Sequence, residues 1–568
     1  MDGKFPIIKA GYIFNPYKIE QTAELKLDSI ILNYPCRLDA MAINPAAVVY
    51  NSDMVFTPGE VVVSLNKYIK VTIKVLSEDG GKIMISDKTK RKVLVKHSYL
   101  LMCSALNVFP SLEVDVDDNN IPKHCGFGSS SSTISAVAAA INELYGCPIK
   151  NDDLIKYLAS NHGEEISDND EENLKVVQCI GGGATNGLTK AGIIIIAGKS
   201  TTIGKLEYNG DVLVGVPKNF IQKDAKTLME LEEQNLWKFK KTGERYAENI
   251  AYSLLHKALP GLVNGSIKEL ADIVYEYRFN MGSNENCSFV YDGLVELGNN
   301  LRCLYENNDC EFLALSSVGP AFFVIVKDVE QKQRCKNKME ELAMNVIESS
   351  ICNTTYLVEK KQNKKSYWQE ETTTIAFSNK EPSKYIIDVL EKKDLKNKNC
   401  IDIGCGGGRY TRYLQKKDAN VLAIDKYPEM IGNVHSQKIN FINCDMNNIP
   451  VKDDSYDLVL SIGVIHNAVT VDEFYKSIEE IYRIANEKSN IILSLFTNDV
   501  ITDDLIKYGA NLYKIKNRPP MVLFSKEQIK EILKENNLSI VKVIDEHITD
   551  VGGGKRNVYT LLLEKQVI

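Results

Sequence analysis

The stretch that most constrains this chain is Asn399-Cys400-Ile401-Asp402-Ile403-Gly404-Cys405-Gly406-Gly407-Gly408-Arg409-Tyr410. A β-prone run from Cys400 to Ile403 breaks into a cluster of glycines, and a helical pattern from Tyr410 to Lys416 begins at once. Strand, glycine turn and helix in that order bring backbone N–H groups and the positive end of a helix dipole up to a ligand. Glycine suits the turn because a Cβ would hold the ligand off the backbone. Such a turn is weak evidence by itself, so its surroundings decide.

A second strand, Asn420 to Ile424, ends in Asp425. A carboxylate at that strand end can accept both ribose hydroxyls of a nucleoside. A third apolar run, Ile439 to Asn443, ends at Cys444-Asp445-Met446. The segment from Ile449 to Leu460 then leads through a fourth strand to Gly463-Val464-Ile465-His466-Asn467. These four ordered blocks resemble the class I S-adenosylmethionine-dependent methyltransferases, from about Tyr367 to the C-terminus.

That resemblance implies a Rossmann-like doubly wound sheet and S-adenosyl-L-methionine as cofactor. It places Gly404, Gly406 and Gly408 against the methionine part, Asp402 near its amino group, Asp425 on the ribose, and Asp445 with Met446 at the adenine. Methyl transfer is an in-line displacement that depends mostly on positioning. His466 follows the fourth strand, where a side chain can face the transferred methyl, and histidine suits base work near neutral pH. It is the expected catalytic residue, with packing or cofactor binding as its alternative roles. Arg409 and Tyr410 belong to the helix start.

At 568 residues the chain exceeds one core, so two or three domains are expected. Its net charge of −7 gives no sequence-wide attraction for nucleic acid or anionic membrane. The expected partners are small-molecule substrates, with no nucleic acid and no membrane. Thirteen scattered cysteines without a Cys-x-x-Cys pair argue against structural zinc and a disulfide framework. A reducing cytoplasm is the simplest compartment. Met1 to Phe5 lacks a signal-peptide core, and no apolar run approaches membrane-spanning length.

The polar, lysine-rich run Glu359-Lys360-Lys361-Gln362-Asn363-Lys364-Lys365-Ser366 is the expected linker. It divides the chain into domains at about 1–360 and 366–568. The first opens on strand patterns at Ser29–Asn33, Val61–Leu65, Ile69–Val75 and Lys82–Ser86. A helix at Lys96–Asn107 and a strand at Leu112–Val116 follow. Then Pro122-Lys123-His124-Cys125-Gly126-Phe127-Gly128-Ser129-Ser130-Ser131-Ser132 feeds an alanine-rich helix, Thr133–Tyr145.

Glycines and serines ahead of a helix supply N–H groups, hydroxyls and a favourable dipole for phosphate. No Gly-Lys-Ser/Thr follows, so this is not a Walker A loop. A flexible loop whose last serine caps a buried helix is the plainer alternative. The pattern Pro-x-x-x-Gly-x-Gly-Ser-Ser resembles the phosphate loop of the GHMP kinase superfamily. Pro35-Cys36-Arg37-Leu38-Asp39 with Pro58 to Val63 is similar to its opening strands, and Leu315 to Phe323 to its C-terminal motif.

The resemblance implies an α+β GHMP-kinase-like domain in which Gly126, Gly128, Ser129, Ser130 and Ser131 hold phosphate. Glu164, or its neighbour Glu165, would hold magnesium beside ATP and complete the catalytic apparatus. One departure stands out: the family's kinases place an aspartate base just before a Gly-Gly pair, whereas Leu174 to Ile180 contains none. The nearest acids, Asp168, Asp170, Glu171 and Glu172, read mainly as a solvated turn, although Asp39 or Asp168 could serve from another direction. The block Gly181-Gly182-Gly183-Ala184-Thr185-Asn186-Gly187 and the Ser-Ser-x-Gly-Pro motif are also similar to ribofuranosylaminobenzene phosphate synthases, which transfer a phosphoribosyl unit to an aromatic acid. The expected function is a bifunctional enzyme, a methyltransferase joined to an ATP-dependent small-molecule kinase. A phosphoribosyl-transferring synthase and a non-catalytic ligand-binding module remain the alternatives for the first domain.

Overall fold

The computed structural model describes residues 6–47, 58–119, 121–122, 125–167, 169–176, 181–223, 225–364, 367–378, 380–431, 439–515, 518–551 and 554–566. They form two compact units, Met1–Lys364 and Lys365–Ile568.

The first unit is built on two long strands, β1 (Leu27–Ala42) and β2 (Glu60–Ser77), paired antiparallel. Alternating Ile69, Val71 and Ile73 bury one face of β2, and Val61, Val62 and Val63 bury its start on both faces. The sequence divides β2 at Asn66–Tyr68, but the strand continues. A bulge places Asn66 and Lys67 outside the register between Leu65 and Tyr68, and Asn66 Nδ2 donates to Ser350 Oγ and Ile351 O. A second bulge, at Ala40, separates the pairs Asp39–Val62 and Met41–Val61.

Next come β3 (Ile83–Ile85), α1 (Lys92–Leu106), β4 (Ser111–Asp117) and α2 (Ser129–Leu144). They precede α3 (Gly181–Leu188), β5 (Ile193–Ala197), β6 (Thr201–Leu206), β7 (Asp211–Pro217) and the long α4 (Ala225–Ser253). Strands β8 (Phe312–Leu315), β9 (Phe322–Val326), β10 (Met344–Ser350) and β11 (Leu357–Asn363) complete the unit. One sheet has the order β11-β1-β2-β4-β3, with β5 and β6 added from β2; a second runs β8-β9-β7-β10, and a small third one joins Ile7–Lys9, Asn173–Lys175 and Glu164–Glu165 in that order. Helix α2, its alanines buried, packs on β1. This is the α+β class expected.

The run expected as a linker is in large part β11. It pairs antiparallel with β1, and Glu359 takes an ion pair from Lys70 at 2.9 Å and a hydrogen bond from Asn33 Nδ2. An edge strand needs only its backbone to pair, so lysines facing solvent are compatible with it. Composition alone cannot separate such an edge from a linker.

The second unit is built on a seven-stranded sheet. Its strands are β12 (Asn399–Ile403), β13 (Asn420–Asp425), β14 (Asn440–Asn443), β15 (Tyr456–Ile462), β16 (Ala485–Thr497), β17 (Leu538–Asp550) and β18 (Lys555–Lys565). The order is β14-β13-β12-β15-β16-β18-β17, with the first five strands parallel and β18 antiparallel. Apolar clusters cover both faces, one containing Ile401, Val459 and Ile491, the other Cys400, Leu458 and Ile492. The order reverses beside β12, and the parallel strands all end on one edge, where such sheets bind ligands. The irregular stretch expected around Pro519-Pro520 forms a small sheet of Leu505–Gly509, Leu512–Ile515 and Met521–Val522. Among the described residues no helix is long and apolar enough to cross a membrane.

The strand assignment of β11 is testable. A lysine-specific protease acting on the native chain should cut at Lys360 and Lys361 no faster than at Lys70 within β2. Ready cleavage at those two sites would make the run a loose linker.

Candidate active sites

In the second unit β12 hands over to the glycine turn, and α5 (Arg409–Gln415) follows. Gly404, Gly406 and Gly408 have φ of 62°, 51° and 74°, the left-handed region in which glycine is at ease. A Cβ on Gly404 would lie 2.5 Å from Val464 Cγ2, so that turn is filled by protein. At Gly406 the nearest atom to such a Cβ is Met430 Cε at 3.6 Å, which leaves the room a ligand needs.

Asp425 ends β13 facing this turn. Its Oδ2 accepts the Gly406 N–H at 3.0 Å and its Oδ1 the Tyr427 N–H at 2.9 Å. Burial pushes the carboxyl above its ordinary range, and these backbone donors offset part of that rise. Asp402 is buried at the end of β12, where its Oδ2 accepts the Thr411 hydroxyl at 2.6 Å. That bond fastens α5 to the strand. Burial pushes Asp402 up to about 6. Sequence reasoning missed Thr411, whose only signal is a buried hydroxyl on the helix face turned to the strand.

Asp445 is fixed by Lys426, Nζ to Oδ2 at 2.6 Å, and Met446 packs half-buried against the core. His466 is buried. Its Nδ1 accepts the Phe496 N–H at 3.3 Å, and its ring lies 4.3 Å from the Phe496 ring. Burial lowers it to about 3. The ring is therefore neutral, with its proton on Nε2 and its Nδ1 lone pair engaged. This geometry provides an orienting side chain and leaves no free lone pair for a base.

In the first unit Gly126 and Gly128 have φ of 88° and 60°. A Cβ on Gly128 would lie 2.8 Å from Arg37 Cγ and Nε, so only glycine allows that approach. The left-handed turn at Gly128 starts α2 at Ser129, which puts the serines in the first helical turn; the sequence places them in a loop. The N-terminal end of α2 thus presents buried Ser129, Ser130 and Ser131. Lys123 and His124 lie outside the described residues.

Arg91, buried, organises the acids beside this turn. Its Nη1 donates to Ser130 Oγ at 2.7 Å, and its Nε lies 3.4 Å from Glu165 and 3.8 Å from Asp118. Glu165 is thereby paired with Arg91, while Glu164 Oε1 lies 3.6 Å from the buried His162 Nε2. Burial would raise Glu164, but His162, Ser130 and the Arg91 charge outweigh it and hold the carboxyl at about 2. Glu232 on α4 is pushed up to about 7 by burial and then by the charge of Glu164. Glu164 is in register with Lys175 on the neighbouring strand, and Lys175 Nζ reaches Glu233, the residue after Glu232, at 2.9 Å.

Among the described residues no three His, Cys, Asp or Glu side chains are gathered for a metal. Magnesium commonly takes one or two carboxylates plus substrate phosphates, and ionised Glu164 with the Ser130 hydroxyl fits that donor set. Of the other acids, Asp170 accepts the Glu172 and Asn173 N–H groups at 2.9 and 2.8 Å, as a turn residue does. Glu171 lies 3.6 Å from Lys92, and Asp168 is outside the described residues.

Known proteins match the two units separately. Residues 401–493 match the family model "Methyltransferase domain", and residues 93–170 match "GHMP kinases N terminal domain". One match lies in each unit, a GHMP-kinase-like segment in the first and a methyltransferase-like segment in the second. It is 31% identical over 83 residues to the probable tRNA methyltransferase 9B of Bos taurus, covering 15% of this chain and 18% of that protein. Over 81 residues it is 32% identical to a ubiquinone biosynthesis O-methyltransferase of Acinetobacter baumannii, covering 13% and 34%. The chain thus spans only a minor part of these relatives. Among solved structures, homoserine kinase from Cytophaga hutchinsonii aligns with 61% of this chain and all of its own, at 15% identity and a TM-score of 0.39.

The burial of Asp402 in the methyltransferase domain has a consequence for stability. An acid whose folded pKa is raised favours the protonated fold, so its cost is absent below about pH 4, grows as pH rises to 6, and is then constant. Ionised Asp402 should cost on the order of 3 kcal/mol at neutral pH. Asp402→Asn should therefore raise the unfolding temperature of this domain at pH 7.5 and leave it unchanged at pH 4. A constant difference across that range would remove the cost assigned to the carboxylate.

Proposed function

We propose that the chain is a bifunctional small-molecule enzyme: an S-adenosylmethionine-dependent methyltransferase joined to an ATP-dependent kinase. For the methyltransferase domain, the observation that carries the reading is Asp425 set across from the open backbone at Gly406. The carboxylate would take the ribose hydroxyls, and the turn would take the methionine part. Asp445 and Met446 line the continuation toward the adenine, and Asp402 holds α5 in place through Thr411. The bound cofactor supplies an electrophilic methyl group. His466 orients the strand end at Phe496. The net charge of −7 favours a small acceptor over a polyanion such as tRNA.

For the GHMP kinase domain, Gly126, Gly128 and Ser129 to Ser131 at the start of α2 would bind nucleotide phosphates. Glu164 and Ser130 would hold magnesium, which neutralises phosphate charge when bound. Transfer of a phosphoribosyl unit is the second reading, favoured by the lack of an aspartate ahead of Gly181. That chemistry needs a stabilised diphosphate leaving group, which helix amides and a cation also provide. A non-catalytic module is disfavoured by the buried Arg91, Ser130 and Glu165 constellation, since unused buried charge is costly to keep.

Three outcomes test these assignments. Transfer of label from methyl-labelled S-adenosylmethionine to a metabolite extract should produce a small labelled product; label only on macromolecules would contradict the acceptor class. Asp425→Ala removes hydrogen bonds to a charged acceptor worth roughly 1.5–3 kcal/mol each. It should raise the cofactor dissociation constant about tenfold to several hundredfold while the fold persists. In the GHMP kinase domain, Mg-ATP should bind and Glu164→Gln should weaken its magnesium dependence. Magnesium-dependent binding of phosphoribosyl diphosphate with none of ATP would favour the second reading.

A further inference from the structure

Phosphoryl transfer to an alcohol benefits from a fixed proton acceptor, and none stands ahead of the described residues of α3. A different acid is built into this site. Asp39 lies near the end of β1, one residue before the bulge at Ala40. Bulges of this kind re-aim side chains beside active sites. Asp39 is only 9% exposed, and its Oδ1 has no hydrogen-bond partner among the described residues. Arg37, two residues earlier and so on the same strand face, is 5% exposed, with Nε and Nη1 making no hydrogen bond there.

Both residues border the phosphate turn. Arg37 packs under Gly128. The Asp39 N–H donates to Ser316 Oγ at 3.2 Å, and that hydroxyl donates to Gly126 O at 2.6 Å. Arg278 locks the bulge from outside: its Nε donates to Ala40 O at 2.7 Å, and its Nη1 to Ser317 O at 3.0 Å and Ser283 Oγ at 3.2 Å. It stands on a π-helical turn, Glu276–Asn280, a local distortion common at functional sites. Three segments distant in sequence are thus spent on holding one acid beside the phosphate turn.

We propose that Asp39 is the general base of the GHMP kinase domain. The inference rests on the phosphoryl-transfer reading. The acceptor hydroxyl gives its proton to Asp39 Oδ1 as its oxygen forms a bond to the terminal phosphorus of a nucleoside triphosphate. The bond from that phosphorus to the bridging oxygen breaks, and the nucleoside diphosphate leaves with the electron pair. Burial pushes the Asp39 carboxyl above its ordinary range, against the charges of Arg37 and Arg278, which brings it closer to the pKa a base needs.

The test uses the full chain, Mg-ATP labelled in its terminal phosphate, and a small-molecule extract as acceptor source. Label reaching organic phosphate, or water where no acceptor is present, gives the rate; calorimetry gives Mg-ATP affinity. Asp39→Asn should bind Mg-ATP as the wild type does and transfer about a hundredfold to ten-thousandfold more slowly. Retention of more than about a tenth of the wild-type rate would overturn the proposal, and loss in Glu232→Gln instead would move the base to Glu232. If Asp39→Asn fails to fold, Asp39→Glu decides: it keeps a displaced carboxylate and should bind normally but transfer more slowly. Transfer at the wild-type rate would then overturn the proposal. A wild type that binds Mg-ATP yet moves no phosphoryl group would overturn it as well. A wild type that binds no Mg-ATP would instead remove the kinase reading.

Discussion

Both halves of the chain depend on one backbone constraint: the left-handed turn of a glycine immediately before a helix. At Gly128 and Gly408 the chain turns with positive φ straight into α2 and α5. The first N–H groups of a helix have no partner within it, and the positive end of the helix dipole gathers there. A residue with a Cβ would be strained in that conformation. At Gly128 it would also drive into Arg37. Everything else in each site is arranged around such a turn.

The arrangement is expensive, and the neighbouring contacts show how the cost is met. Asp402 sits buried and keeps a hydroxyl from Thr411. Arg91 is buried between Asp118 and Glu165 while it holds Ser130. Buried ions are retained at a cost unless their partners are well placed. Here the pairs fasten a helix start to the strand beside it, so the charge also fixes the geometry of the turn. Glu232 is the exception: burial and then the charge of Glu164 push its carboxyl up to about 7.

Much of this was legible in the residues. The glycines at 404, 406 and 408 with Asp425 one strand later specify a parallel sheet and its binding edge, because strand–turn–helix patterns are local. The glycine–serine run specified a helix N-terminus for the same reason. What escaped was non-local. Arg91 and Arg278 act through contacts with residues far away in sequence, which spacing does not reveal. The neutral, engaged state of His466 follows from burial against Phe496, whereas its position alone suggested a base. Glu359 to Asn363 has the composition of a linker, yet pairing with β1 makes it an edge strand.

The central claim, that the turn after β12 and Asp425 together form the methyltransferase cofactor site, is most directly tested by a crystal structure of the chain with S-adenosylhomocysteine. The ribose hydroxyls should lie within hydrogen-bond reach of the Asp425 carboxylate, with the amino-acid part along Gly404 to Gly408. A ligand bound away from that turn, or one whose ribose makes no contact with Asp425, would contradict the account.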